Sequence, residues 1–181
     1  MQSNLPAIRD PVREGIAVHL ADMRGFARYL SRDASKADDL VQDTVLRALG
    51  AKAQFAEGTN VKAWLFTILR NLFYEQRRRQ VREVEILSQI SRDNEGDDRG
   101  GEQFSDQVLD LSVLIWRLPD ALREALILVG AQEMSYEEAA AICLCPAGTI
   151  KARVSRARAK LAEMAMSASI PEGGKPVTQV S

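Results

Sequence analysis

Apolar residues at helical spacing recur along almost the whole chain, and period-two alternation is absent. That feature commits the chain to an all-α fold. Ile16, Leu20, Met23, Ala27 and Leu30 line one face of a first helix. Ala37, Leu40, Val41, Val45, Leu46 and Leu49 make a second, with Gly50 as its stop. After a loop at Gly58, Thr59 and Asn60, a third stripe runs through Val61, Trp64, Leu65, Ile68, Leu69 and Leu72 into Arg77–Arg79. Residues 91–107 break the pattern: they are polar, acidic and Gly-rich, a linker composition. The pattern resumes with Leu111, Leu114, Ile115 and Leu118, then Leu122, Ala125, Leu126 and Val129, with Gly130 near that helix's end.

We therefore expect two small helical domains joined by a flexible acidic linker. The boundaries read as an N-terminal tail at 1–15, a helical bundle at 16–85, the linker at 86–110, a helix-turn-helix domain at 111–166 and a C-terminal tail at 167–181.

The formal net charge is -1, which argues against nucleic acid only until its distribution is read. Residues 1–82 hold 14 basic and 9 acidic residues, and residues 83–110 hold 2 and 9. Lys62, Arg70, Arg77, Arg78, Arg79 and Arg82 are opposed in their stretch only by Glu75. Lys151, Arg153, Arg156, Arg158 and Lys160 have no acid among them. Two separate basic stretches point to nucleic acid, although each taken alone also fits a solvated helix face.

The second stretch has a context. Ser135-Tyr136-Glu137-Glu138 fits a capping box that starts a short helix, in which Ala139, Ala140 and Cys143 face inward. Pro146-Ala147-Gly148 makes a break, and Ile150, Val154, Ala157 and Leu161 form the core stripe of a final helix. That is the form of a helix-turn-helix. With the stripe turned inward, Lys151, Ala152, Ser155, Arg156 and Arg158 face outward, where such a helix enters a major groove. Arg156 suits a bidentate contact to guanine. Arg153, Arg158 and Lys160 suit phosphates, which position without specifying.

The front half carries a second signature. The run D-D-L-V-Q-D-T-V-L-R-A-L from Asp38 to Leu49 precedes A-W-L-F-T-I-L-R-N-L from Ala63 to Leu72. Together with L-P-D-A-L-R-E-A, S-Y-E-E-A-A and G-T-I-K-A-R-V-S-R-A-R in the back half, these runs resemble the extracytoplasmic-function (ECF) group of bacterial sigma factors. The resemblance covers about residues 16–82 and 111–163, in the family's order.

It implies a dissociable RNA polymerase subunit, with core polymerase (the beta-prime and beta subunits), promoter DNA and a small anti-sigma factor as partners. Asp38, Asp39, Leu40, Gln42, Asp43, Leu46 and Arg47 match the helix that docks on core polymerase. Lys151, Ala152, Ser155 and Arg156 match the readers of the upstream promoter element, with Arg153 and Arg158 beside them. Ala152 departs from the small hydroxyl residue common there, at the cost of a hydrogen bond. Asn71, with the Phe55–Asn60 loop, matches the part that captures a flipped base of the downstream element. Lys62, Arg70, Arg77, Arg78 and Arg79 supply charge around it, as strand capture requires.

L-I-L-V-G-A-Q-E-M-S-Y-E-E-A-A-A-I-C resembles the subgroup that runs the general stress response in alphaproteobacteria. That implies a GGAAC-like upstream and a GTT-like downstream element, and an anti-sigma factor titrated away by a sigma-like response regulator.

Competing chemistry finds little support in the residues. Cys143 and Cys145 are one residue apart with no further ligands, so buried reduced thiols are the expectation, and His19 has no metal-spaced cluster. Ser135 has no His partner for a triad, and no Walker-type loop appears. We expect no catalysis, cofactor or metal, no membrane span or secretory signal, and a cytoplasmic protein. Two other readings compete: a stand-alone helix-turn-helix regulator of duplex DNA, for which no dimerisation module is visible, and a sigma-like decoy, for which the basic reading helix would be superfluous.

Overall fold

A computed structural model describes residues 10–56, 58–90 and 111–168. The expected linker from 91 on and the tail from 169 lie outside them. Among the described residues there are helices and no strands. In order these are α1 (Pro11–Ser31), α2 (Ala34–Gly50), a 3-10 turn (Lys52–Gln54), α3 (Val61–Ile90), α4 (Leu111–Trp116), α5 (Asp120–Leu126), a π turn (Ile127–Ala131), α6 (Tyr136–Cys143) and α7 (Ala147–Ala168).

Local chemistry sets the ends. Asp10 caps α1 by accepting from Arg13 N at 3.1 Å, with Pro11 pre-set for the first turn. The helix thus starts before the boundary expected at residue 16, because Asp10-Pro11 is a start signal in its own right. Asp33 caps α2 in the same way through Lys36 N at 3.0 Å. Asn60 opens α3 by accepting from Ala63 N at 3.2 Å. Helix α3 continues to Ile90, past the boundary drawn at 85.

The first three helices pack on a core of Met23, Phe26, Leu40, Leu65, Phe66 and Leu69, each almost fully buried. Phe26 stacks on Phe66 with ring centroids 5.1 Å apart. Phe26 and Phe66 lay outside the apolar stripes picked out of the sequence. Burying a side chain of this size is worth about 1.5–3 kcal/mol. Gly15 brings α1 close to α3: a Cβ there would meet Val61 Cγ2 at 2.6 Å.

The second core is built from Leu118, Leu128, Ile142, Ile150 and Val154, also nearly fully buried. The two cores are continuous. Helix α3 packs on α6, and α1 on α5 and the π turn, so the two helical domains close on one another.

Candidate nucleic-acid and polymerase interface

Helix α6 begins with the capping box: Glu138 N donates to Ser135 Oγ at 3.1 Å, and Ser135 N donates to Glu138 Oε2 at 2.9 Å. The turn that follows does not lie where the sequence suggested. Leu144 takes the left-handed conformation at φ 52°, and its amide closes α6 on Ala140 and Ala141 carbonyls. Gly148 lies within the first turn of α7 rather than in the break. A glycine would adopt the Leu144 conformation at less cost, so composition gave no warning of it. Replacing Ser135 by Ala is expected to cost about 1 kcal/mol, measured by urea unfolding, because the Glu138 amide at the start of α6 loses its side-chain acceptor.

Helix α7 turns Ile150, Val154 and Ala157 into the core, each at most 1% exposed, with Leu161 half-buried. Lys151, Ala152, Ser155, Arg156, Arg158 and Lys160 are exposed. The core stripe thus orients one polar, basic face outward. Arg153 is different. It is half-buried, and its Nη1 lies 3.8 Å from Cys145 Sγ, so it bridges back to the end of α6.

Helix α2 presents Asp38, Asp39, Gln42, Asp43, Leu46 and Arg47 to solvent, Leu46 at 69% exposure. Leu40 does not join them. It is 1% exposed and belongs to the core, because it lies on the face of α2 that meets its neighbours. Around the exposed face Gln76 donates to Asp43 at 3.0 Å, Arg47 pairs with Glu75 at 3.6 Å, and Arg24 with Asp38 at 3.7 Å. A cavity of about 270 Å³ opens there between Asp43, Leu46, Leu72 and Arg79.

The third group is split. Asn71, Arg78 and Arg79 are exposed on α3, with Arg79 paired to Glu75 at 2.5 Å. Arg70, Arg77 and Lys62 are engaged by the second domain. Arg70 Nε donates to Glu124 Oε1 at 2.6 Å, and the Glu124 side chain is 2% exposed. The Arg70 guanidinium sits 4.6 Å from the Tyr74 ring, whose hydroxyl donates to Glu124 at 3.4 Å. Burial pushes that hydroxyl up to about 12, and the Glu124 charge adds to the effect.

Arg77 Nη1 donates to Asp120 at 2.5 Å, and Asp120 also accepts from Arg123 at 2.6 Å. Burial pushes the Asp120 carboxyl up, but these cations outweigh it and hold it below its usual value. Lys62 Nζ donates to the Gln132 carbonyl at 2.9 Å and pairs with Asp22 at 3.1 Å. Asn60 Nδ2 donates to Glu138, and Arg32 Nη2 donates to the Trp116 carbonyl at 2.7 Å. No sequence signal marked Glu124, Asp120 or Arg32 as members of this constellation.

Cys143 is buried and Cys145 half-buried, and both are free thiols. Burial pushes the Cys143 thiol up to about 12, with the Glu124 charge adding. Among the described residues no His, Cys, Asp and Glu cluster suits a metal ion. Among them, too, no helix is long and apolar enough to cross a membrane.

A helical bundle with an exposed polar face on α2, together with a helix-turn-helix that turns a basic face outward, is the architecture of a two-headed transcription initiation factor. Residues 16–83 match the family model for sigma-70 region 2, and residues 109–161 that for sigma-70 region 4. The chain is 45% identical over 160 residues to the ECF RNA polymerase sigma factor EcfG of Rhodopseudomonas palustris, covering 87% of this chain and 86% of that one. It belongs to the ECF RNA polymerase sigma factors.

Two solved structures agree with that membership. The sigma factor RpoE of Bartonella quintana, in complex with the anti-sigma factor NepR, superposes with a TM-score of 0.72 at 42% identity, covering 87% of this chain and 98% of that one. CnrH in complex with the cytosolic domain of CnrY gives 0.63 at 26% identity, covering 87% and 89%.

Proposed function

We propose that this sigma factor directs core polymerase to promoters of the general stress type. The exposed face of α7 carries the reading: Lys151, Ala152, Ser155 and Arg156 project together from a helix whose opposite face is locked in the core. In this reading α7 lies in the major groove of a GGAAC-like upstream element, with Arg158 and Lys160 on phosphates. Asn71 and the loop before α3 capture a flipped base of a GTT-like downstream element, with Arg78 and Arg79 on the strand. The exposed face of α2 docks on the beta-prime subunit.

The chain works in the cytoplasm, where core polymerase is, and carries no catalysis of its own. A small anti-sigma factor controls it; the Bartonella quintana relative seen with NepR supports this. The test is capture of core polymerase by the purified chain, then run-off transcription from a GGAAC-type promoter. A defined transcript supports the reading. Failure to bind core polymerase would favour a stand-alone duplex-binding regulator.

Asn71→Ala is expected to cut promoter opening about tenfold, on the order of the 1–3 kcal/mol carried by one base contact, while upstream-element binding is unchanged. Permanganate footprinting checks this, and a footprint equal to wild type would remove Asn71 from the role. Asn71 is exposed, so the change leaves the core intact.

A further inference from the structure

Four side chains share the outward face of α7: Lys151, Ala152, Ser155 and Arg156. Three of them carry hydrogen-bonding groups, and Ala152 carries only a methyl. That methyl is exposed, because the core stripe of Ile150, Val154 and Ala157 leaves it on the far side of the helix. In water it serves only as a good helix former. In a major groove it meets a group that it can recognise. The apolar mark that a base pair presents there is the C5-methyl of thymine.

The neighbouring arginine fixes which thymine. Arg156 stands one turn further along the same face, and its Nε donates to the Ala152 carbonyl at 3.4 Å. The side chain therefore lies back toward the turn that carries Ala152. Among the described residues this is the one hydrogen bond of the Arg156 guanidinium, so both Nη atoms are left for a guanine. Cβ atoms one turn apart lie about 5–6 Å from each other, against a base-pair rise of about 3.4 Å. The long arginine and the short alanine thus reach neighbouring base pairs.

We propose that Ala152 determines specificity by packing on the thymine methyl of the A·T pair next to the guanine held by Arg156. The proposal rests on the placing of α7 in the GGAAC-like element, where the second guanine is followed by an adenine. The methyl makes 152 a position that selects thymine by contact rather than by a hydrogen bond. A G·C pair in the opposite place would set the cytosine amine against Ala152, a donor deprived of water and of any acceptor.

The test uses holoenzyme assembled from core polymerase and the full chain, with two GGAAC-type promoter duplexes. In the second, deoxyuridine replaces the thymine opposite the first adenine of the element. Deoxyuridine keeps every hydrogen-bonding group of thymine and lacks only the methyl. Fluorescence anisotropy of the labelled duplexes reads binding at fixed salt. Wild type is expected to bind the uracil promoter about fourfold more weakly, the weight of one buried methyl. In Ala152→Gly that difference is expected to vanish. Should glycine weaken α7 by circular dichroism, Ala152→Ser keeps the helix and is expected to narrow the difference, because a hydroxyl then faces the thymine methyl.

Equal binding of the two promoters by wild type overturns the proposal. A thymine preference that survives in Ala152→Gly also overturns it, since the methyl then acts through the stiffness of the duplex. A promoter with a scrambled upstream element separates the two readings. If wild type binds it as well as the GGAAC type, the failure lies in the placing of α7; if not, it lies in Ala152 alone.

Discussion

Arg156→Glu is expected to abolish promoter-specific run-off transcription while leaving core-polymerase binding intact. Arg156 is exposed on the outward face of α7, between the buried Val154 and Ala157. A bidentate guanine contact is worth about 1–3 kcal/mol of discrimination. The substituted carboxylate also meets the phosphate field of the duplex, where like charge repels. Together these remove a factor of at least about tenfold to a hundredfold in promoter affinity, since ~1.4 kcal/mol is tenfold. The fold is not at risk, because substitutions at such exposed sites stay within about 0.5 kcal/mol. The docking proposed for α2 uses residues on another helix. Transcript yield beside a core-polymerase pull-down checks both halves, and survival of the transcript would mean that α7 does not read the upstream element through Arg156.

The largest effect on stability is expected from Phe66→Ala. Phe66 is fully buried and stacks on the equally buried Phe26. Truncating such a ring costs about 3–5 kcal/mol through lost transfer energy and the cavity left behind. Small domains hold only about 5–15 kcal/mol in total, so most of the margin goes. With a slope of about 1–3 kcal/mol per molar urea, the midpoint falls by at least about 1 M. Urea unfolding followed by circular dichroism measures it. A loss below about 1 kcal/mol would mean that the three helices of the first domain are held chiefly by other contacts.

Both predictions bear on how far the residues alone reach. The helical class was legible because stripes such as Ile150, Val154, Ala157 and Leu161 repeat at 3.6 residues, and only a helix gives them one face. Capping chemistry is as local: Ser135 and Glu138 are three residues apart, and the reciprocal bonds between them form in the structure. The outward set on α7 followed from subtracting the core stripe. On α2 the resemblance, and not the stripe, placed Leu40 with the docking residues, although it lies in the core as its place in the stripe implies. Phe26 and Phe66 were passed over for another reason, since the stripe drawn first already filled one face of each helix.

Charge pairing was the part that sequence could not decide. Arg70 and Arg77 read as cations opposed only by Glu75, the one acid in their stretch. Their carboxylate partners lie 54 and 43 residues further along, beyond the acidic linker. Which acid meets which arginine depends on how α3 packs against the second domain, and no local pattern encodes that. The chain's own residues determined what each helix is and which face it buries. Only the tertiary structure decided that Arg70 and Arg77 of the first domain are paired with carboxylates of the second, because an ion pair needs two groups within a few ångströms, whatever their separation in sequence.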